Sequence, residues 1–154
     1  MDSDYKNLIE DALLKNPKLY KEIRIEENTS TRIQYKGKTR ENISISSNLG
    51  GCTRALVNGG WGFSSFNDIT KAPNKMSESI ELAKFNNNNY NHSKNLSDTK
   101  LSLPPTIKKD PRKIKLSEKI DLLENYKNII LSEKNIQGCD IVYADIDKKI
   151  IFAD

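Results

Sequence analysis

The chain has 154 residues, 36% apolar and 30% charged, with 25 basic and 21 acidic side chains and a formal charge of +4. That length holds one domain with a real core, or one domain and a tail, and the polarity marks part of the chain as unable to pack. The charge permits a basic patch but does not announce a nucleic-acid binder. No apolar run is long enough to span a bilayer and no apolar signal core opens the chain, so the expectation is a soluble cytoplasmic protein.

In chain order, Asp4 to Asn16 reads as an amphipathic helix with Tyr5, Leu8, Ile9, Ala12 and Leu13 on one face, ended by Asn16-Pro17. The period then changes to two. Ile23 and Ile25 alternate with Glu22, Arg24 and Glu26 in a strand near Tyr20–Glu27; Ile33 and Tyr35 mark a second strand, Lys36-Gly37-Lys38 a turn, and Ile43 and Ile45 a third. Leu49 to Asp68 holds most of the glycines and the only tryptophan. Cys52, Arg54 and Leu56 share one face there, Thr53, Ala55 and Val57 the other, and Asn58-Gly59 is a type I′ hairpin signal because both residues tolerate positive φ. Gly62, between Trp61 and Phe63, suggests ring clearance, close backbone approach or a bulge. About five consecutive strands result, and their short connections imply antiparallel neighbours.

After Asp68 the pattern turns helical, with Met76, Ile80 and Ala83 on one side and Pro73 in the first turn. Asn86 to Asn95 is low-complexity and reads as a mobile loop; Leu101 to Pro105 is an edge strand or an extended linker. Lys108, Lys109, Arg112, Lys113 and Lys115 form either a phosphate-binding patch or a solvated linker, and the lack of interleaved aromatic residues favours the linker. Ser117 is the expected N-cap of a helix to about Glu133, burying Ile120, Leu123, Tyr126, Ile129 and Ile130. Ile141 to Ala144 reads as a strand, Asp147-Lys148 as a turn, and Ile150 to Ala153 as a further strand running to the end. A domain rarely stops inside an apolar strand, so the expectation is a chain cut before a further domain. The whole reads as α+β, a largely antiparallel sheet with helices packed on one face, in one domain over 1–154 with a mobile segment at about 86–115.

Chemistry-bearing groups are few. His92 is the single histidine, so neither a two-histidine zinc motif nor a catalytic triad assembles. Cys52 and Cys139 read as reduced, half-buried thiols. The glycines fit no phosphate loop or dinucleotide fingerprint. Glu26 and Glu27 read either as paired carboxylates or as an exposed rim, the rim being favoured. No catalytic, cofactor-binding or metal-binding residue is assigned.

The strand Glu22-Ile23-Arg24-Ile25-Glu26-Glu27 is followed by Thr31-Arg32-Ile33-Gln34-Tyr35-Lys36-Gly37-Lys38. Next come Gly51-Cys52-Thr53-Arg54-Ala55-Leu56-Val57-Asn58, Gly59-Gly60-Trp61-Gly62-Phe63-Ser64-Ser65, Asn67-Asp68 and the helical Ile80-Glu81-Leu82-Ala83-Lys84. In this order they resemble the N-terminal domain of the TldD/PmbA metallopeptidases, once described as modulators of DNA gyrase. The likeness is good from residue 1 to about 85 and looser from 116 to 154. It implies that zinc belongs to a separate C-terminal catalytic domain, in a histidine-glutamate-histidine helix with a later cysteine, none of which exists here. It further implies a non-catalytic unit that packs on that domain and helps form a cleft for unfolded peptide, in a homodimer or a heterodimer with a related subunit. The rival readings are a stand-alone protein-interaction domain and a nucleic-acid-binding module using Lys108–Lys115. Read from its residues, Leu49 to Asp68 is a structural hairpin with Trp61 and Phe63 packed, and burial of the Trp61 ring would put the cost of Trp61→Ala on the order of 3–5 kcal/mol.

Overall fold

Asn58 and Gly59 both take positive φ, 47° and 83°, and the hairpin they close runs in the expected register, with Leu56 opposite Trp61, Arg54 opposite Phe63 and Cys52 opposite Ser65. This is a computed structural model, and it describes residues 3–86 and 108–154. The asparagine-rich segment beyond Asn86, His92 and Leu101–Pro105 lie outside the described residues. The elements are α1 (Ser3–Leu14), β1 (Tyr20–Lys36), β2 (Thr39–Val57), β3 (Gly60–Phe66), α2 (Ala72–Phe85), α3 (Leu116–Ser132) and β4 (Asp140–Ala153). The strands form one antiparallel sheet in the order β3-β2-β1-β4, which makes the fold α+β. No described helix is long and apolar enough to cross a membrane.

The strands are fewer and longer than the sequence suggests. The first two expected strands are one, β1, the next two are one, β2, and Asp147-Lys148 lies within β4 instead of turning. The residues that read as breaks are held by lateral polar contacts. Thr29 meets Ser47 at 3.4 Å and Ser30 meets Ser46 at 2.8 Å, hydroxyl to hydroxyl, between β1 and β2. Asp147 lies 3.7 Å from Arg112, and Lys149 lies 3.8 Å from Glu27. Cross-strand hydroxyl and charge pairs stabilise a ladder without apolar alternation.

The chain divides into two compact units. Within the described residues the first takes 3–27, 48–86 and 149–154, the second 28–47 and 108–148. In the first, Ile9 and Ala12 of α1, Ile23 and Ile25 of β1, Ala55 and Val57 of β2, Phe66 of β3, and Ala72, Met76, Ile80 and Ala83 of α2 form one buried cluster. Full burial of a large apolar side chain contributes about 1.5–3 kcal/mol. Asn16 ends α1's chain direction with φ 52°, and the buried ammonium of Lys21 donates to the carbonyls of Leu13 and Lys15, satisfying acceptors a helix end leaves free. Pro73 sits in the first turn of α2, as its missing N–H requires. Thr53 and Ser79, both fully buried, share a 2.8 Å hydroxyl contact, and Ser79 also donates to the Thr53 carbonyl, so β2 and α2 meet without a stranded polar group.

Gly62 is where α2 comes closest. A Cβ there would stand 1.8 Å from the Ser79 carbonyl oxygen and 2.5 Å from the Ala83 nitrogen; one on Gly60 would stand 2.4 Å from the Ala83 oxygen. Close backbone approach, and neither a bulge nor ring clearance, is therefore what Gly62 provides, with β3 pairing unbroken through it.

In the second unit Ile33 and Tyr35 of β1 and Leu123 of α3 are buried, with Ile43, Leu116, Ile120, Ile141 and Tyr143 packed against them. Two polar contacts lock α3 down: Lys119 to Asp145 at 2.6 Å, and the Tyr35 hydroxyl donating to Glu124 at 2.7 Å. Burial alone would raise Asp145, but hydrogen bonds from Lys119 and Tyr143 hold its carboxyl below its usual range. Two expectations for this helix need correction. Lys115, with extended φ and ψ, is the N-cap in place of Ser117, and Tyr126 and Ile129 are exposed because Leu116, Ile120 and Leu123 set the buried face.

Gly62→Ala is expected to destabilise by roughly 3 kcal/mol or more, since its obstacle is helix backbone that cannot swing aside. Gly138→Ala, where an added methyl meets nothing within 4 Å, should stay within about 0.5 kcal/mol. Urea unfolding of both variants checks the contrast.

Candidate functional site

The helix-side glycines decide where the rings of β3 go. Gly60, Gly62, Ser64 and Phe66 face α2, so Trp61, Phe63 and Ser65 alternate onto the open face of the sheet. Trp61 is 39% exposed and Phe63 56%, so these rings are not the packed pair the sequence suggested. β3 is also an edge strand, paired with β2 on one side only within the sheet.

Around Trp61 the open face of the first unit is ordered. The Arg54 guanidinium lies 4.3 Å from the Trp61 ring centroid and 3.1 Å from a Glu22 oxygen. Tyr20 meets Trp61 edge to face, centroids 5.8 Å apart and planes at 88°, and donates its hydroxyl to the other Glu22 oxygen at 2.8 Å. The Asn86 amide donates to the Trp61 carbonyl at 3.0 Å. A cation held between an aromatic face and a carboxylate is preorganised, with contributions of about 0.5–1 kcal/mol for such a stack at an exposed site. Arg24 and Glu26 pair alongside at 2.6 Å. Burial, then the Glu22 hydrogen bond and charge, pushes the Tyr20 phenol up to about 12. Burial also raises the Cys52 thiol, against the pull of Arg24, which leaves it protonated and a poor nucleophile.

This arrangement can bind through rings, an arginine and strand backbone. Among the described residues no three His, Cys, Asp or Glu side chains converge as metal ligands, so these residues do not fit a zinc site. Cys52 and Cys139 are free thiols, and Cys139 lies 3.7 Å from the Gly37 carbonyl. Glu26 and Glu27 are not a pair: Glu26 holds Arg24, while Glu27 meets Tyr5 at 3.5 Å and Lys149 at 3.8 Å. Of the basic cluster, Arg112 is spent on Asp110 at 2.7 Å and lies 3.7 Å from Asp147; its hydrogen bonds hold Asp110 down at about 2. A shallow cavity of about 400 Å³ lies beside Leu13, Leu19, Tyr20, Lys21 and Asp154, where the Lys21 ammonium donates to the carbonyls of Leu13 and Lys15.

The face of Cys52, Arg54 and Leu56 is readable from alternation. The contributions of Tyr20 and Glu22 are not, since they depend on how β1 aligns with β2. The only advance signal is the period-two spacing of Tyr20, Glu22 and Arg24.

The Tyr20 shift carries a sign. The unfolded chain releases its phenolic proton near pH 10 while the folded chain retains it to about 12, so the contribution is complete below pH 10 and is lost as pH rises to 12. Tyr143, also raised to about 12, acts in the same direction. Tyr20→Phe is expected to flatten part of the alkaline loss of stability, measured by denaturant unfolding from pH 9 upward. Trp61→Ala should cost roughly 1–2 kcal/mol, below the range for a buried ring, because much of the ring is already in water.

The sequence over residues 22–86 matches the family described as PmbA/TldA metallopeptidase domain 1. A metalloprotease of Synechocystis sp. is 26% identical over 133 residues, covering 85% of this chain and 29% of its own length. Among solved structures, a candidate modulator of a DNA gyrase from Thermotoga maritima superposes with a TM-score of 0.75 at 14% identity, covering 97% of this chain and 34% of its own. TldE from Thermococcus kodakarensis gives 0.58 at 14% identity, covering 96% and 34%. At such identity the two structures speak for the fold alone. The chain spans about a third of the length of the proteins it matches. The motif order, the matched stretch and the fold agree that residues 22–86 of the chain match domain 1 of the PmbA/TldA metallopeptidases.

Proposed function

We propose that this chain is the non-catalytic part of a zinc metallopeptidase that acts on unfolded peptides, and that its open sheet face packs on the catalytic domain and helps shape the cleft. The observation that carries this is the pair of exposed rings, Trp61 and Phe63, on an edge strand inside the family-matched stretch. Large rings on a strand with unpaired backbone groups are surface for a neighbouring body, and a free strand edge holds an extended peptide by main-chain hydrogen bonds while tolerating varied side chains. The zinc and its ligands would come from the catalytic domain, and a homodimeric or heterodimeric assembly would supply a second subunit.

A stand-alone interaction domain would use the same face, and the two readings part on what covers it. A nucleic-acid module is less favoured, because Arg112 is neutralised by its own neighbours.

Incubated with zinc and an unstructured peptide, the chain alone should leave the peptide intact; cleavage that survives repurification would overturn the non-catalytic reading. Amide exchange over Gly60–Phe66 should be slower in the whole gene product than in this chain alone. Equal exchange in both, with full peptidase activity in Phe63→Asp, counts against the covered face.

A further inference from the structure

The two edges of the sheet are built differently. β4 carries Asp145, Asp147, Lys148 and Lys149, and charges along an edge deter a further strand. β3, at the other edge, has neither a charged residue nor a proline in Gly60–Phe66.

The turn fixes which backbone groups β3 leaves unpaired. A two-residue turn through Asn58 and Gly59 makes Val57 and Gly60 the hydrogen-bonded pair that closes the hairpin. Hydrogen-bonded and non-hydrogen-bonded pairs alternate along an antiparallel ladder, so Gly60, Gly62 and Ser64 bond to β2. Trp61, Phe63 and Ser65 fall in the other phase, and their N–H and C=O groups point away from β2. These are also the residues whose side chains reach the open face. One outward group is already taken. The Asn86 side-chain amide donates to the Trp61 carbonyl at 3.0 Å, while the Asn86 backbone N–H donates to the Leu82 carbonyl at the end of α2. The edge is thus closed at Trp61 and, among the described residues, open at Phe63 and Ser65.

We infer that β3 takes an extended peptide as a further strand, paired through the N–H and C=O groups of Phe63 and Ser65. Asn86 is the positioning residue that stops this strand short of Trp61 and so sets its register. The inference rests on the peptide-cleft reading above and adds the edge, the contact residues and the stop. The peptide residue opposite Phe63 lays its side chain beside that ring on the open face, so an apolar residue is favoured there.

The test uses the whole chain, isotope-labelled, with a short peptide alternating threonine and valine between terminal lysines, and reads amide exchange residue by residue by NMR. At about ten times the half-saturating peptide concentration, exchange at Phe63 and Ser65 should slow about tenfold, with Trp61 unchanged. Ser65→Pro removes an outward N–H without costing the β2 ladder a bond, and should weaken peptide binding about tenfold. Asn86→Ala should free the Trp61 carbonyl and carry the slowing on to the Trp61 amide; Asn86→Asp, which also lacks the donor, serves if circular dichroism shows lost helix in the first. Phe63 and Ser65 amides already slow without peptide, no slowing when peptide is added, slowing at Trp61 in the unsubstituted chain, a register unmoved by loss of the Asn86 amide, or binding indifferent to Ser65→Pro each overturns the inference. Any of these leaves the non-catalytic reading standing, since that is decided separately by incubation with zinc and peptide.

Discussion

The contact on which the first unit depends is the approach of α2 to β3 at Gly62. Helix backbone and strand backbone lie so close that a single added methyl would fall 1.8 Å from a carbonyl oxygen. Because the helix-facing positions of β3 must be small near that crossing, its bulk is forced to the other face. Trp61 and Phe63 are thus placed in the open by a packing demand on the far side of the strand. The same crossing brings Ser79 to Thr53, where paired hydroxyls replace the apolar contact that a wider gap would have needed.

The two units are stabilised by different means. The first has an extended cluster drawn from both its helices and three strands. Among the described residues the second has three buried apolar residues in its core, and α3 is held as much by Lys119–Asp145 and Tyr35–Glu124 as by Leu123. A buried charge pair fixes orientation more surely than it adds stability, since desolvation offsets much of the attraction.

What could be read in the sequence followed from how local the cause was. Asn58-Gly59 declared its turn because the backbone conformation is a property of those two residues alone. Pro73 and the apolar spacing of α2 were legible for the same reason, and the family motif was carried by glycine and aromatic residues in a fixed order. Strand length was not legible, because Thr29, Ser30, Ser46 and Ser47 read as loop residues until each is seen facing another across the ladder. α3 offered two apolar sides, one through Leu116, Ile120 and Leu123 and one through Leu122, Tyr126 and Ile129, and composition cannot choose between them. The Tyr20–Glu22–Arg54–Trp61 arrangement joins residues from three strands, and only their alignment in the sheet creates it.

Trp61 has one more consequence. It is the only tryptophan in the chain, and it stands on the open face beneath a guanidinium and against a tyrosine ring. The protein therefore carries an intrinsic optical reporter at that position. Its emission responds to the exclusion of water from the rings, so whatever settles on this face announces itself as a spectral shift, with no label attached to the chain.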